Sequence, residues 1–216
     1  MSTNAKQAEL RERIFNQRLP TSVARVLFFP DYALKEVLDY NVVADVIAES
    51  EIPLHDQSGV IKDILNGAQK IFCILVCIRQ VNYMHLLLRS GIGDAKLALS
   101  KEDLLASDLP APVVDEFWGQ QWEFIAPIFK SRVQKLDSSC ILPFKEERVL
   151  GEGGYGAVTR VVLYRSHQDL VSDSLGDTVG LDIQEPLPVI SANVYLGCCC
   201  TQEYQARFYE KNREIF

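Results

Sequence analysis

At 216 residues the chain has room for one large domain or two smaller ones, each with a real core. Apolar residues make up 48% and charged residues 24%, the composition of an ordinary globular protein. A net charge of −7 with no concentrated basic face excludes a general binder of nucleic acid or of anionic membrane.

No membrane span is expected. The longest apolar run, Ile71 to Ile78, is closed by Arg79 and falls far short of the ~20 residues that cross a bilayer. The first twenty residues mix Lys6, Arg11, Arg13 and Arg18 with Glu9 and Glu12 and hold no apolar h-region, so no secretory signal is read there. The six cysteines do not form a disulfide framework. Cys73 and Cys77 lie four apart in an apolar run and read as two small buried side chains on one helix face. Cys140 stands alone, and the contiguous Cys198, Cys199 and Cys200 cannot converge on one metal. The expected setting is reducing and intracellular, cytoplasmic or nuclear.

Residues 1–20 are polar and helix-prone, and Pro20 ends them. Asp31 is placed to cap a segment with Leu34, Val37 and Leu38 at helical spacing, and Val42, Val43, Val46 and Ile47 extend the pattern towards Pro53. Val60, Ile61, Ile64, Leu65, Ala68, Ile71 and Phe72 keep three- and four-residue intervals into the apolar run, and Leu86 to Leu88 follow. Gly91 and Gly93 break that pattern. Ser100 with Asp103 has the spacing of a capping box before Leu104 and Leu105. Trp118 and Trp122 sit four apart beside Phe117 and predict an aromatic cluster belonging to a core.

The pattern changes after Leu136. K-E-E-R-V-L, then G-E-G-G-Y-G, then A-V-T-R-V-V-L-Y, predicts two β-strands joined by a glycine-rich turn. Residues 166–186 read as a polar loop, Leu187 to Leu196 as a further strand, and Thr201 to Phe216 as a helix with Tyr204, Phe208 and Ile215 on one side.

Gly151, Gly153 and Gly156 form G-x-G-x-x-G, with Val158 completing G-x-G-x-x-G-x-V. A hairpin folding over a triphosphate must bring backbone N–H groups close to anionic oxygens, and a Cβ at those glycines obstructs the approach. Tyr155 at the tip can shield phosphate from water, while Leu150 and Val158 offer apolar surface to an adenine. Two other readings stay open on these residues: a dinucleotide-binding turn, which must open a helix after a buried strand, and a structural hairpin with no ligand.

Leu142 to Tyr164, L-P-F-K-E-E-R-V-L-G-E-G-G-Y-G-A-V-T-R-V-V-L-Y, resembles the start of a protein-kinase N-lobe. It is most similar to a group of fungal Ser/Thr protein-kinase-like proteins, and Lys70 to Ile78 and Glu116 to Phe129 resemble the helical region preceding the kinase domain there. The resemblance covers roughly residues 25–170 and implies ATP binding by Leu150, Gly151, Glu152, Gly153, Gly154, Tyr155, Gly156, Ala157 and Val158. In complete relatives it implies magnesium and phosphoryl transfer to Ser or Thr.

The sequence departs from the kinase pattern beyond Tyr164. No lysine lies between Lys145 and Lys211, although the third strand of a kinase carries one. The helix glutamate has Glu210 and Glu214 as candidates, with Asn212 in another register. His167-Gln168-Asp169-Leu170 resembles a catalytic loop but comes eleven residues after Gly156, with Ser174 where an asparagine belongs, and reads as a polar loop. No D-F-G or A-P-E follows, so no catalytic or metal-binding residue is assigned. His55 and His85 read as solvated or core-edge residues, and Asp169, Asp173 and Asp177 lack the EF-hand pattern.

The expected fold is therefore α+β. It comprises a polar segment 1–20, a helical domain 21–140, and a partial kinase N-lobe 141–216 of antiparallel strands plus one helix, truncated relative to an active parent. The expected partners are ATP, bound weakly, and a protein partner of the helical domain. The alternative is a non-enzymatic helical interaction module carrying an inert kinase remnant.

Overall fold

A computed structural model describes residues 4–130, 133–153, 156–169, 190–198 and 203–209. Over 133–135, 152–153, 156–158, 190–198 and 203–209 the description is of backbone and strand pairing. The chain is α+β, with eight α-helices and seven β-strands among the described residues. It divides into two compact units: Met1–Leu19 with Phe28–Ile125, and Pro20–Leu27 with Ala126–Phe216.

The first unit is helical. Its helices are α1 (Ala5–Asn16), α2 (Leu34–Val37), α3 (Tyr40–Glu49), α4 (Leu54–Leu65), α5 (Gln69–Cys77), α6 (Met84–Arg89), α7 (Lys101–Leu105) and α8 (Ala111–Gln121). Helix α5 is the hub. Ile71 to Cys77 are buried on every side, as an all-apolar helix must be, and α1, α4, α6 and α8 pack around it. The polar, helix-prone segment 1–20 forms α1, and its Leu10 and Ile14 enter the core at 1% and 0% exposure.

Local signals set most boundaries. Ser100 and Asp103 form the expected reciprocal capping box, with Ser100 Oγ accepting from Asp103 N at 3.1 Å and Asp103 Oδ2 from Ser100 N at 3.2 Å. The cap assigned to Asp31 is not made. Asp31 instead starts a 3₁₀ turn and pairs with Lys70 at 2.7 Å, and Asp39 caps α3 by accepting from Val42 N at 2.9 Å. Trp118 and Trp122 meet edge-to-face at 5.9 Å, with Phe117 fully buried beside them. Gln121 acts as a surrogate backbone. Its side-chain amide accepts from Leu99 N at 2.8 Å and donates to Leu99 O at 2.9 Å.

The second unit is a five-stranded antiparallel sheet. Two-residue strands β1 (Leu19–Pro20) and β2 (Leu27–Phe28) form a separate two-stranded sheet where the chain enters and leaves residues 20–27. The five-stranded sheet holds β3 (Val133–Asp137), β4 (Phe144–Gly153), β5 (Gly156–Leu163), β6 (Ile190–Cys198) and β7 (Glu203–Tyr209), in the order β3-β7-β6-β5-β4. Phe129, Leu136, Phe144, Val161 and Leu163 form its core. Ser22 N donates to Phe144 O at 2.6 Å and Tyr164 Oη to Pro20 O at 2.8 Å, which ties residues 20–27 to this unit.

Three expectations need correction. The unit boundary falls at Ile125/Ala126 and not at 140, because Val133–Asp137 is a strand paired with β7. The segment expected as the N-lobe helix is strand β7 over Glu203–Tyr209; Tyr204, Ala206 and Phe208 alternate with polar residues at period two, which suits a pleated strand. His167 and Gln168, expected in a polar loop, are buried at 1% and 8% exposure. That turn runs alongside Phe129, whose N–H donates to His167 O at 2.9 Å and whose carbonyl accepts from Asp169 N at 2.7 Å. Asp173, Ser174, Asp177 and the rest of the expected loop lie outside the described residues, as do Glu210, Asn212 and Glu214.

Candidate nucleotide-binding hairpin

Strands β4 and β5 form one antiparallel hairpin that places the glycine motif at its closed end. Glu152 pairs with Ala157 and Gly153 with Gly156, leaving a two-residue connection. Gly154 and Tyr155, which make that connection, lie outside the described residues, and of Glu152, Ala157 and Val158 only the backbone register is described. Because a strand follows Gly156, the element required by a dinucleotide-binding turn, a helix opening at the glycines, is not present here.

A register shift between Val149 and Gly151 marks a β-bulge at Leu150, with Val149 opposite Thr159 and Gly151 opposite Val158. Strand β4 is at the sheet edge and is exposed on both faces from Lys145 to Gly151, so Val149 and Leu150 are both open to solvent, at 54% and 53% exposure, a contiguous apolar step beside the glycines. Gly151 needs no special backbone: a Cβ built on it meets nothing within 4 Å, and its φ lies outside the left-handed range. Neither packing nor conformation within the described residues requires a glycine at this position.

The charge near the hairpin is mixed. Arg148 and Arg160 are cross-strand partners, and both are exposed. A strand advances about 3.3 Å per residue, so Arg148 lies roughly 17 Å along β4 from Gly153, too far to take the place of a lysine at a phosphate held by the tip. Strand β6, third in the meander and paired with β5 from Ala157↔Leu196 to Leu163↔Ile190, reads I-S-A-N-V-Y-L-G-C and carries no lysine. Cys199 and Cys200 lie outside the described residues.

The remaining candidates are structural. Cys73 and Cys77 are buried at 0% and 4%; burial pushes the Cys73 thiol well up and the Cys77 thiol up to about 12. His85 Nδ1 lies 2.7 Å from Asn82 O, and the exposed His55 faces its neighbour Asp56 at 3.5 Å. Among the described residues no group of His, Cys, Asp and Glu could hold a metal ion, and no helix is long and apolar enough to cross a membrane.

What the sequence reading missed is polar and tertiary. Arg18 of the helical unit, at 2.8 Å from Glu123, lies over the Phe15 ring at 3.7 Å, and burial raises the Glu123 pKa against the opposing pull of Arg18. No spacing rule joins residues so far apart in the chain. Comparison of the chain with protein-family models, with curated proteins and with solved structures finds no match.

Proposed function

We propose that this chain is a protein-kinase-like polypeptide whose hairpin, Leu150 to Val158, binds ATP through backbone N–H groups. The observation that carries the reading is the closed antiparallel hairpin at Gly153 and Gly156, with Gly151 not required by packing or conformation and Leu150 exposed to solvent beside it. Phosphate oxygens approach the glycine backbone, and Val149 and Leu150 supply apolar surface for a base.

Binding is weak in this reading. A charge-assisted contact to phosphate contributes about 1.5–3 kcal/mol, and with the strand lysine and metal ligands missing the affinity falls to roughly millimolar. Phosphoryl transfer is not assigned to these 216 residues, which hold no catalytic-loop base and no D-F-G.

Titration of the full chain with ATP, followed by NMR, tests the reading. The expected result is saturable binding near millimolar that is lost in Gly153→Asp while the sheet's circular dichroism is kept. Binding unchanged in Gly153→Asp, or no binding at about 10 mM ATP, overturns it. A second reading, in which the helical unit binds a protein partner and the hairpin is inert, is favoured by the absence of lysine from residue 146 to 210. It takes precedence if ATP leaves the hairpin signals unmoved.

A further inference from the structure

Within the helical unit, a pocket of about 260 Å³ is lined by Asn4, Gln7, Ala8, Arg11 and Arg79. Its chemistry is one-sided: two guanidinium groups, two side-chain amides and a methyl group, with no carboxylate. Gln7, at 6% exposure, is buried in α1, and its Nε2 donors have no hydrogen-bond partner. A buried donor without an acceptor is costly, and an oxyanion in the pocket is the acceptor that the lining residues do not provide.

The two arginines differ in commitment. Arg11 is held in place: its Nε donates to Cys77 O at 2.8 Å, at the end of α5, and its guanidinium lies 4.1 Å from the Phe15 ring centroid. This contact complements the negative end of α5 and fixes one wall of the pocket. Arg79 is exposed, and its guanidinium makes no hydrogen bond or ion pair with the described residues. It stands just past the C-cap Ile78 of α5, where Arg79 N donates to Val76 O at 3.1 Å and Gln80 N to Leu75 O at 2.8 Å. That pattern is a helix stop whose left-handed position, φ +61 at Arg79, is ordinarily glycine. The stop thus carries a long cationic side chain at a position where glycine fits with less strain. Three carboxylates of α1 and α3 have Lys6 as a partner: Glu49 accepts from Lys6 N at 2.8 Å, and Glu9 and Asp45 face Lys6 Nζ at 3.3 and 3.8 Å.

We infer that this pocket is a binding site for a phosphate or phosphomonoester group, with Arg79 and Arg11 taking its charge and the Gln7 amide its inner oxygen. Guanidinium groups suit phosphate because their planar forks donate in pairs. The site lies wholly within the helical unit and does not depend on the glycine hairpin.

The test uses the full chain with inorganic phosphate and with methyl phosphate, at ionic strength held constant with chloride. The expected result is a rise in unfolding temperature with ligand and shifts in the Gln7 Nε2 and Arg79 Nε NMR signals. Preference between the two ligands assigns the site to free phosphate or to a monoester. Arg79→Gly separates binding from folding, because it relieves the left-handed strain. It is expected to raise the unfolding temperature without ligand and to weaken phosphate binding at least tenfold. Gly153→Asp is expected to leave the phosphate response unchanged. Three outcomes overturn the assignment: no shift of the Gln7 and Arg79 signals at about 50 mM phosphate, an equal response in Arg79→Gly, or an equal response to acetate.

Discussion

Asp94 caps helix α5 from outside that helix, its Oδ1 accepting from Ile71 N at 3.1 Å while Oδ2 accepts from Lys70 N at 3.0 Å. The residue preceding α5, Ala68, has no polar side chain to satisfy these first-turn amides, so an acid 24 residues beyond Lys70 and 23 beyond Ile71 supplies both bonds. Asp94 N in turn donates to Gly67 O at 2.8 Å, which locks the turn before α5 to the turn after α6. Removing the carboxylate strips the hub helix of its N-terminal partner. Asp94→Ala is expected to destabilise the chain by about 2 kcal/mol, the sum of a lost cap and partly buried amides left unmatched. Urea denaturation checks this, and a loss below about 0.5 kcal/mol would mean that water replaces the carboxylate.

The same residue gives a pH signature. Burial is the largest influence on Asp94 and raises its pKa above the ordinary 3.8, outweighing the opposing bonds from Lys70 and Ile71 and the charge of Lys70. The folded chain therefore holds this proton more tightly than the unfolded chain does. Stability from Asp94 is greatest at low pH and falls as pH rises from the unfolded value through the raised folded value. Comparing the chain with Asp94→Asn subtracts the other carboxylates. The stability difference should move against the native residue as pH rises through that window and level off above it; a slope of opposite sign refutes the assignment.

Gly93 is required by a neighbour and not by its own backbone. A Cβ there comes 2.9 Å from Gly67 O, a fixed carbonyl that already accepts from Asp94 N. With φ at −133 the residue itself is unstrained, so the cost of a side chain is steric. Gly93→Ala is expected to destabilise by about 1–3 kcal/mol and to disturb the Asp94 cap, whereas Gly119→Ala, where a Cβ meets nothing within 4 Å, should not. Equal thermal midpoints for the two variants would show that the turn gives way.

How much of this was legible follows from the range of each signal. The apolar run Ile71 to Cys77, the Ser100–Asp103 box and the glycine hairpin are short-range patterns, and each predicts an element that forms. Strand β7 was misread because Tyr204 and Phe208 fit a helical interval as well as a period of two, and pairing with β3 and β6 decides between them. The Asp94 cap, the Arg18–Glu123 pair and the pocket between Arg11 and Arg79 join residues far apart in the chain, so no local pattern announces them. The candidate hairpin was legible as a shape; the register shift at Leu150 was not, since one extra residue in a strand leaves no compositional mark.

The cysteines give the last prediction. Thiolate is the reactive form, and burial holds Cys77 at about 12, so at pH 8 only about one molecule in ten thousand carries it. Cys73, fully buried in the same helix, is pushed up further by desolvation, then by Cys77 and Asp94. Cys140 is different. It sits in the turn after β3, half-buried, with its N–H donating to Asp137 O at 3.1 Å; burial raises its pKa too, but the residue is less buried than Cys73 or Cys77. Iodoacetamide at pH 8, with the labelled peptides identified by mass spectrometry, should modify Cys140 well before Cys73 or Cys77. In urea the three rates should converge near that of a free thiol. Labelling of Cys77 as fast as Cys140 in the native chain would mean that α1 and α8 do not cover the end of α5, and the packing around the hub helix described above would be wrong at that point.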